Sequence, residues 1–144
     1  MFVLQTFILE YKTTPGADVL DLTASVLEKL RQTGVNNGLL TLFISGSTAA
    51  LTTIEYETGV VNDLLAAIER LFPRDLNYEH DRAWGDGNGY SHVRAAFLKP
   101  SLSIPIQDGK LLLGAWQQIV LLDFDNRPRT RRVQGQVIGL KAAG

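Results

Sequence analysis

The stretch 117–124, Gln-Gln-Ile-Val-Leu-Leu-Asp-Phe, is the feature that most constrains how this chain folds. Side chains alternate between the two faces of a β-strand, and this stretch places apolar side chains on both of them. A strand of this kind needs cover on each side. We expect helices to cover one face and a second layer, or a neighbouring subunit, to cover the other.

The order of the other patterned segments favours an α+β fold over a repeating βα fold. Helical spacing of apolar residues predicts one helix that includes residues 19–30 and a second one over residues 60–72. Asp18 or Asp21 is expected to cap the first helix, and Gly34 to end it. Alternation and turn residues predict strands at 2–11, 39–45, 49–56, 93–98, 102–106, 110–113, 117–124 and 130–139. The predicted fold class is therefore α+β, with mixed or mainly antiparallel β-sheet layers and two helices packed on one face.

Composition excludes several classes of function. The 144 residues suit a single domain over residues 1–144, and the net charge of −1 provides no excess of cations for binding nucleic acid. The chain has no cysteine, so disulfides, thiolate metal sites and a thiol nucleophile are excluded. The sequence has neither a basic leader nor a stretch of about 20 apolar residues, so we expect a cytoplasmic protein without membrane contact.

Both histidines of the chain, His80 and His92, lie in one glycine-rich loop, 78–92. Imidazole titrates near neutrality and is a common metal ligand, and Asp86 and Asn88 add oxygen atoms between the two rings. His80, His92 and Asp86 together suit a divalent metal such as Mg²⁺ or Zn²⁺. The alternative is a glycine-rich turn whose polar side chains only cap local structure, because eleven intervening residues match no compact metal motif.

Two further polar segments are candidates for the same site. The turn Ser45–Thr48 can present backbone N–H groups and the hydroxyls of Ser47 and Thr48 to a phosphate, or it is an ordinary tight turn. Glu55 and Asp63 are either carboxylates of the site or solvent-facing charges. The residues alone leave both alternatives open.

An aromatic residue and a group of arginines near the C-terminus are also open to two interpretations. Trp116 can stack on a flat heterocycle that Gln117 recognises, or it belongs to the core at the start of a strand. The arginines form either a phosphate clamp or a charged edge strand that resists aggregation; they are Arg127, Arg129, Arg131 and Arg132.

Several short motifs follow one another in a characteristic order between residues 38 and 140. They are Ser-Thr-Ala-Ala-Leu-Thr at 47–52, Glu55, Asp63, Tyr78-x-His80, Asn88, Ser91-His92, Ser-Ile-Pro-Ile at 103–106, Gly109-x-Leu111, Leu-Gly-x-Trp-Gln at 113–117 and the arginine-rich last strand. This series resembles the YjbQ family, the so-called secondary thiamine-phosphate synthases.

The resemblance implies an α+β domain that assembles as a homotrimer, which would cover the open side of the sheet. It also implies synthesis of thiamine phosphate from hydroxymethylpyrimidine diphosphate and thiazole phosphate, with release of pyrophosphate. The residues so implied are His80, His92, Glu55 and Asp63 for catalysis, Ser47, Thr48, Asn88, Trp116 and Gln117 for substrate or phosphate binding, and His80, His92 and Asp86 for a metal. The alternative is a non-catalytic trimer that binds a metal ion or a small phosphorylated ligand at the His80/His92 loop.

The chain departs from the family pattern at one position. Many relatives have His-Thr-Thr-Ala or His-Thr-Ser-Ala where this chain has Gly46-Ser47-Thr48-Ala49. The third histidine of such a site is therefore absent, which argues against a three-histidine metal centre. Gly46 instead lets the backbone approach an anion closely.

Overall fold

The computed structural model describes residues 1–143, over which the chain forms strands and helices in the following order. The strands are β1 (Phe2–Thr13), β2 (Asp18–Asp21), β3 (Val35–Ile44), β4 (Ala49–Ile54), β5 (Ser101–Gln107), β6 (Lys110–Leu111), β7 (Gln118–Asp123) and β8 (Arg129–Lys141). The helices are α1 (Thr23–Thr33), α2 (Thr58–Leu71), α3 (Glu79–Trp84) and α4 (Gly89–Leu98). Across the described residues the strands build a larger sheet, in the order β1-β8-β3-β5-β6, and a smaller one, in the order β2-β7-β4. None of the helices in this part of the chain is long and apolar enough to cross a membrane.

The central strand of the smaller sheet, β7, is buried on both faces, as its apolar sequence predicts. Ile119 and Leu121 face the larger sheet and belong to the core between the two sheets. Val120 packs on the opposite side with Ile68 of α2 and Ala95 of α4. Cover for this strand therefore comes from a second sheet on one side and from two helices on the other, all within one chain. The predicted α+β class with antiparallel sheets is confirmed. The helix that lies beside α2 is α4, whereas Val26 and Leu30 of α1 belong to the core between the sheets.

The larger sheet has one buried face and one open face. Alternate residues of β3, such as Leu40 and Leu42, point into the core between the sheets. On the outer face, Leu4, Ile138 and Leu39 form a row across β1, β8 and β3, and each of them is at least partly exposed. Within residues 1–143 nothing covers this row, so the open face predicted from the sequence belongs to the larger sheet rather than to β7.

The arginine-rich strand lies inside the larger sheet. β8 pairs with β1 on one side and with β3 on the other. Pairing with β3 begins only at Val133, so Arg129, Arg131 and Arg132 lie on the end of β8 that pairs with β1 alone, and the interpretation as a charged edge strand stays open.

The first helix begins later than the sequence predicts. α1 starts at Thr23 and ends at Gly34, whose φ of 69° gives the left-handed C-cap. Val19 lies instead in β2, where it pairs with β7. Asp21, one of the two predicted capping residues, accepts the backbone N–H of Thr23 at 2.9 Å. The apolar residues of β2 fit both a helix and a strand, and pairing with β7 decides between them.

The strand predicted at 93–98 is wrong, because the structure has a helix there. α4 buries Tyr90 and Arg94, which are four residues apart and lie on one side of the helix. α3 is a second, short helix within the glycine-rich loop, where the sequence predicts none. Six residues with mixed apolar and polar character do not distinguish a strand from a helix, and packing against β4 and β7 favours the helix. His92 therefore lies in the first turn of α4 and does not open a strand.

Candidate functional site

An open cleft of about 400 Å³ lies at the end of the sandwich where β7 ends and β4 and β8 begin. We call it the histidine cleft. It gathers side chains from the turn before β4, from the segment that contains α3 and α4, and from the start of β8. Its lining residues are Gly46, Ser47, Thr48, His80, Trp84, Asp86, Asn88, His92, Arg129 and Arg131. Eight side chains proposed from the sequence therefore meet here: Ser47, Thr48, His80, Asp86, Asn88, His92, Arg129 and Arg131.

Arg131 forms the floor of the histidine cleft and is held by a buried carboxylate. Its Nε and Nη2 donate to the two oxygens of Asp123 at 2.6 and 2.9 Å, and Thr13 donates to the same carboxylate at 2.6 Å. The side chains of Arg131 and Asp123 are only 8% and 1% exposed. Burial alone would raise the pKa of Asp123, but the hydrogen bonds from Arg131 and Thr13 outweigh burial and lower it. Asp123 is therefore a fixed anion that orients the guanidinium.

A second buried carboxylate, Asp125, holds Arg129. Arg129 Nε donates to Asp125 Oδ2 at 2.7 Å, and the Asn126 N–H donates to Oδ1 at 2.7 Å. Burial tends to raise the pKa of Asp125, but the hydrogen bond from Arg129 and several weaker ones lower it overall. The Arg129 side chain is 41% exposed, so it presents a positive charge at the cleft surface rather than beneath it.

Thr48 links the two ion pairs. Its Oγ1 accepts from Arg131 Nη2 at 2.6 Å and donates to Asp125 Oδ2 at 3.1 Å. Because a hydroxyl has a single proton, Thr48 retains no donor for a ligand. Ser47, the preceding residue, is exposed in the lining of the same cleft, and its hydroxyl is better placed for the predicted phosphate contact.

The backbone at Gly46 approaches Arg131 closely. Its φ of 141° lies in the region that side chains disfavour, and a Cβ placed on Gly46 would lie 2.8 Å from Arg131 Nη1. Gly46 therefore leaves the space that the Nη1 edge of the guanidinium occupies. Nη1 of Arg131 carries two N–H donors, and it is the part of the guanidinium nearest to Gly46.

The two histidines lie next to each other in the structure. His80 comes from α3 and His92 from the first turn of α4, and their ring centroids are 4.5 Å apart with the planes tilted by 54°. His80 Nε2 is 3.3 Å from Asp86 Oδ1, and both side chains are about one-third exposed. The prediction that the loop brings its two imidazoles and Asp86 to one place is thus matched by the geometry of the cleft.

Asn88 orders the carboxylate and the imidazole beside it. We orient its amide with Nδ2 toward Asp86, because the opposite orientation would place the amide oxygen against two carboxylate oxygens. In this orientation Nδ2 lies 3.1 and 3.2 Å from the Asp86 oxygens and 3.1 Å from His80 Nε2. His80 Nε2 thus lies within hydrogen-bonding reach of both Asn88, at 3.1 Å, and Asp86 Oδ1, at 3.3 Å. Asn88 is buried and acts by positioning its neighbours.

The local sequence fixes the two helices that carry the histidines. α3 ends at Gly85, whose φ of 71° allows its N–H to reach the carbonyl of Asp81 at 2.8 Å. The other end of the loop returns to Asp81, which accepts the Gly89 N–H through Oδ1 at 2.8 Å. The buried Ser91 donates to the carbonyl of Phe124 and so attaches α4 to the end of β7.

The other residues proposed from the sequence lie elsewhere. Glu55 and Trp116 line a second open cleft of about 490 Å³, and the amide of Gln117, beside Trp116, donates to Thr53 at 3.0 Å. Asp63 is exposed on α2 and lines neither cleft. The two clefts lie near opposite ends of β4, whose length corresponds to a separation of about 17 Å at the usual rise per residue. One chain therefore does not bring Glu55, Asp63 or Trp116 to the histidines.

The sequence reasoning missed Asp123, Asp125 and Trp84. A sequence feature pointed to the aspartates: Asp123 lies in a stretch that is apolar on both faces, where an ionised carboxylate needs a partner. Asp125 lies two positions after Asp123, which places it on the same face of an extended chain. Arg129 and Arg131 are also two positions apart. Matching these two pairs would have predicted the ion pairs. Nothing in the sequence pattern singles out Trp84.

The cleft residues do not fit a resident metal ion well. Across residues 1–143, no group of three or more histidine, aspartate or glutamate side chains is arranged to hold one. His80, His92 and Asp86 share their cleft with two guanidinium groups, which repel a cation. The predicted Mg²⁺ or Zn²⁺ site stays a prediction, and none of the proposed roles of the cleft residues depends on it.

Comparisons with known proteins agree on one family. The sequence profile of the UPF0047 protein YjbQ-like family matches residues 8–140. A UPF0047 protein of Archaeoglobus fulgidus is 38% identical over 125 residues, which cover 87% of this chain and 94% of the relative. A UPF0047 protein of Mycobacterium bovis is 39% identical over 118 residues, which cover 80% and 88%.

Solved structures extend the similarity to the fold. A hypothetical protein of Aeropyrum pernix is similar with a TM-score of 0.88 at 31% identity, covering 94% of this chain and 99% of that one. A YbjQ-like protein of unknown function from Sulfolobus solfataricus gives a TM-score of 0.86 at 26% identity, covering 96% and 100%. The resemblance inferred from residues 38–140 is confirmed at the level of the family and extends toward the N-terminus. The chain belongs to the UPF0047 YjbQ-like family.

Proposed function

We propose that the histidine cleft binds a small phosphorylated molecule and that it serves the synthesis of thiamine phosphate. The observation that carries this proposal is the convergence of Arg129, Arg131, His80 and His92 on one open cleft beside the Ser47 hydroxyl. Guanidinium and imidazole groups are the side chains that bind phosphate oxygens most directly. The resemblance to secondary thiamine-phosphate synthases supplies the reaction.

The buried carboxylates do not cancel this preference for an anion. Asp123 takes the Nε and Nη2 edge of Arg131, which leaves the Nη1 edge on the cleft side. A ligand phosphate approaching past Gly46 meets N–H donors whose direction is already set. Preorganised donors of this kind stabilise charge without reorganising during a reaction.

The proposed reaction breaks one bond and forms one bond. The C–O bond between the pyrimidine methylene and the diphosphate breaks, and its electron pair leaves with pyrophosphate. The lone pair of the thiazole nitrogen then forms the new C–N bond, so no oxidant or reductant is needed. Arg129 and Arg131 would neutralise the leaving pyrophosphate, and the His80–His92 pair would bind it or protonate it.

The alternative is binding without turnover. The same convergence of cations would then hold a phosphorylated ligand, and the activity implied by the resemblance would be absent. Both hypotheses predict ligand binding, but only the synthase hypothesis predicts product formation. Measuring binding and product formation together therefore separates them.

Product formation is the direct test. The protein would be purified from a host that lacks its own thiamine-phosphate synthase, and assayed with hydroxymethylpyrimidine diphosphate, thiazole phosphate and Mg²⁺. We expect turnover in the native protein and none in a His80→Ala, His92→Ala variant of unchanged melting temperature. Glu79→Ala, an exposed change in the same helix, serves as the matched control.

The possible outcomes distinguish the proposals. Equal turnover in the native and double-alanine proteins would remove the histidines from the mechanism. No turnover, together with calorimetric binding of pyrophosphate that Arg129→Gln weakens at an unchanged melting temperature, would favour the binding protein. Neither turnover nor binding would refute both readings.

We also propose that the chain forms the homotrimer implied by the resemblance, through the outer face of the larger sheet. Leu4, Leu39 and Ile138 form an apolar row there, and Phe43 extends the apolar surface on β3. Contiguous apolar patches on a protein surface commonly mark contacts with other chains. Ile138→Asp is expected to yield monomers in sedimentation velocity, whereas Ser25→Asp on the exposed side of α1 is not. A monomeric native protein would refute this proposal.

An assembly would also explain why the predicted site residues fall into two clefts. If Glu55 and Trp116 act on the same ligand as the histidines, a second copy must provide them. Chains with His80→Ala, His92→Ala and chains with Glu55→Gln, Trp116→Ala would be unfolded together and refolded as a mixture. Recovery of turnover in the mixture would support a site shared between two copies. If the chains have exchanged and turnover is still absent, the two groups of residues do not form one site.

A further inference from the structure

Trp84 is an unusually exposed aromatic residue in the wall of the histidine cleft. It lines the same cleft as His80 and Arg129, yet 77% of its surface is accessible. A tryptophan normally buries most of its surface. In the described part of the chain it forms no close pair with another aromatic ring and no cation–π contact. Its flat apolar faces are therefore available to a ligand in the cleft.

The backbone around Trp84 is fixed on both sides. Trp84 is the last residue of α3, and the next residue, Gly85, closes the helix through the hydrogen bond to Asp81. Two residues after Trp84, the carbonyl of Asp86 accepts the side-chain amide of Asn126 at 2.9 Å. Asn126 directly follows Asp125, the buried carboxylate that holds Arg129. The position of the Trp84 backbone relative to the cationic floor is therefore set by the fold.

We propose that Trp84 forms the ring-binding subsite of the histidine cleft, on which the flat ring of a phosphorylated ligand stacks. Its phosphate would lie toward Arg129 and Arg131, and its ring would stack on the indole. This inference rests on the proposed phosphate binding in the same cleft. It adds the residue that selects the ring, because stacking on Trp84 favours flat rings over aliphatic phosphates. Trp84 acts here on specificity and takes no part in bond breaking.

Isothermal calorimetry with three probes tests the subsite. The probes are hydroxymethylpyrimidine phosphate, thiazole phosphate and glycerol 3-phosphate, which has no ring. By analogy with base–aromatic stacking, Trp84→Ala is expected to weaken binding of the two ring-bearing probes about tenfold. Binding of glycerol 3-phosphate is expected to stay the same. Trp84→Phe keeps a flat face and should restore most of the lost affinity, and Phe97→Ala, an exposed aromatic outside the cleft, should change none of the three.

Fluorescence provides an independent reading. The chain has two tryptophans, Trp84 and Trp116, so a Trp116→Phe protein reports on Trp84 alone. The ring-bearing phosphates are expected to quench this emission, and glycerol 3-phosphate is not.

The results separate the failure of this inference from the failure of the proposed function. If all three probes bind equally to native and Trp84→Ala proteins, the ring subsite is refuted and phosphate binding stands. The same holds if Trp84→Ala changes only the oligomeric state. If no probe binds the native protein, both are refuted.

Discussion

Replacing Asp123 by asparagine is expected to destabilise the fold strongly, although the change is nearly isosteric. Asp123 accepts two hydrogen bonds from Arg131, one from Thr13 and one from the Asp125 N–H. Asparagine has a single acceptor oxygen, and its amide would point donors at a guanidinium that is only 8% exposed. Breaking one partner of a buried ion pair usually costs about 3–5 kcal/mol. We expect a loss of this size in the free energy of unfolding at pH 7.

The same ion pair predicts an acid dependence with a definite sign. The pKa of Asp123 is lowered in the folded state because the hydrogen bonds from Arg131 and Thr13 outweigh the opposing effect of burial. Its stabilising contribution is therefore fully present above the ordinary aspartate pKa of about 3.9 and is lost as the pH falls through the folded value. Asp125 has a lowered pKa as well, so Asp123→Asn should reduce this acid sensitivity without abolishing it.

Urea unfolding followed by circular dichroism, at one protein concentration and at several values between about pH 7 and pH 3, measures both effects. Glu28→Gln is the control, because the pair of Glu28 and Arg31 is exposed and such pairs contribute little. An Asp123→Asn protein within about 1 kcal/mol of the native one at pH 7 would refute the buried pair as described. An unchanged acid dependence would refute the assignment of the titrating group.

Three further predictions use other parts of the structure. Gly46→Ala should lower the free energy of unfolding by about 2–3 kcal/mol, because it adds backbone strain and a contact with Arg131. Gly85→Ala, which has open space around its Cβ, should lower it by about 1 kcal/mol. Equal losses in urea unfolding would contradict the close approach at Gly46. Leu121→Ala, in the core between the sheets, should cost about 2–5 kcal/mol, while the exposed Leu112→Ala should cost little. Because Arg129 and Arg131 share the cleft with the histidines, dialysed protein should contain less than one equivalent of zinc by mass spectrometry, and a full equivalent that is lost in His80→Ala would establish the metal site.

The layers of the fold were predictable because one short stretch has a strong physical requirement. A strand with apolar residues on both faces, such as β7, must be central, and the structure supplies a sheet on one side and helices on the other. The sequence did not reveal that the second layer comes from the same chain. That depends on long-range pairing between β1, β8 and β3, which joins residues at least 89 positions apart and leaves no local pattern.

The candidate site was predictable only in part. The histidine loop and the Ser47–Thr48 turn were found because their residue types are chemically distinctive. α3 and α4 were missed because glycines at 85, 87 and 89 mask two short helices whose ends depend on left-handed turns and on packing against the sheet. Thr48 was assigned to a phosphate, but its hydroxyl proton is already given to Asp125. Whether a polar atom is free for a ligand is set by tertiary contacts that a sequence does not show.

The residues of the floor of the histidine cleft also stabilise the fold, whereas the residues of its wall do not. Thr13, Thr48, Asp123 and Arg131 lie at or near the ends of four strands and are joined by buried hydrogen bonds. Changes to these residues must therefore alter stability together with binding. His80 and Trp84, in contrast, lie on a short helix at the surface and support little of the core. Residues of this kind can change the ligand while the sandwich and its cationic floor remain, so the choice of ligand is expected to reside in the wall.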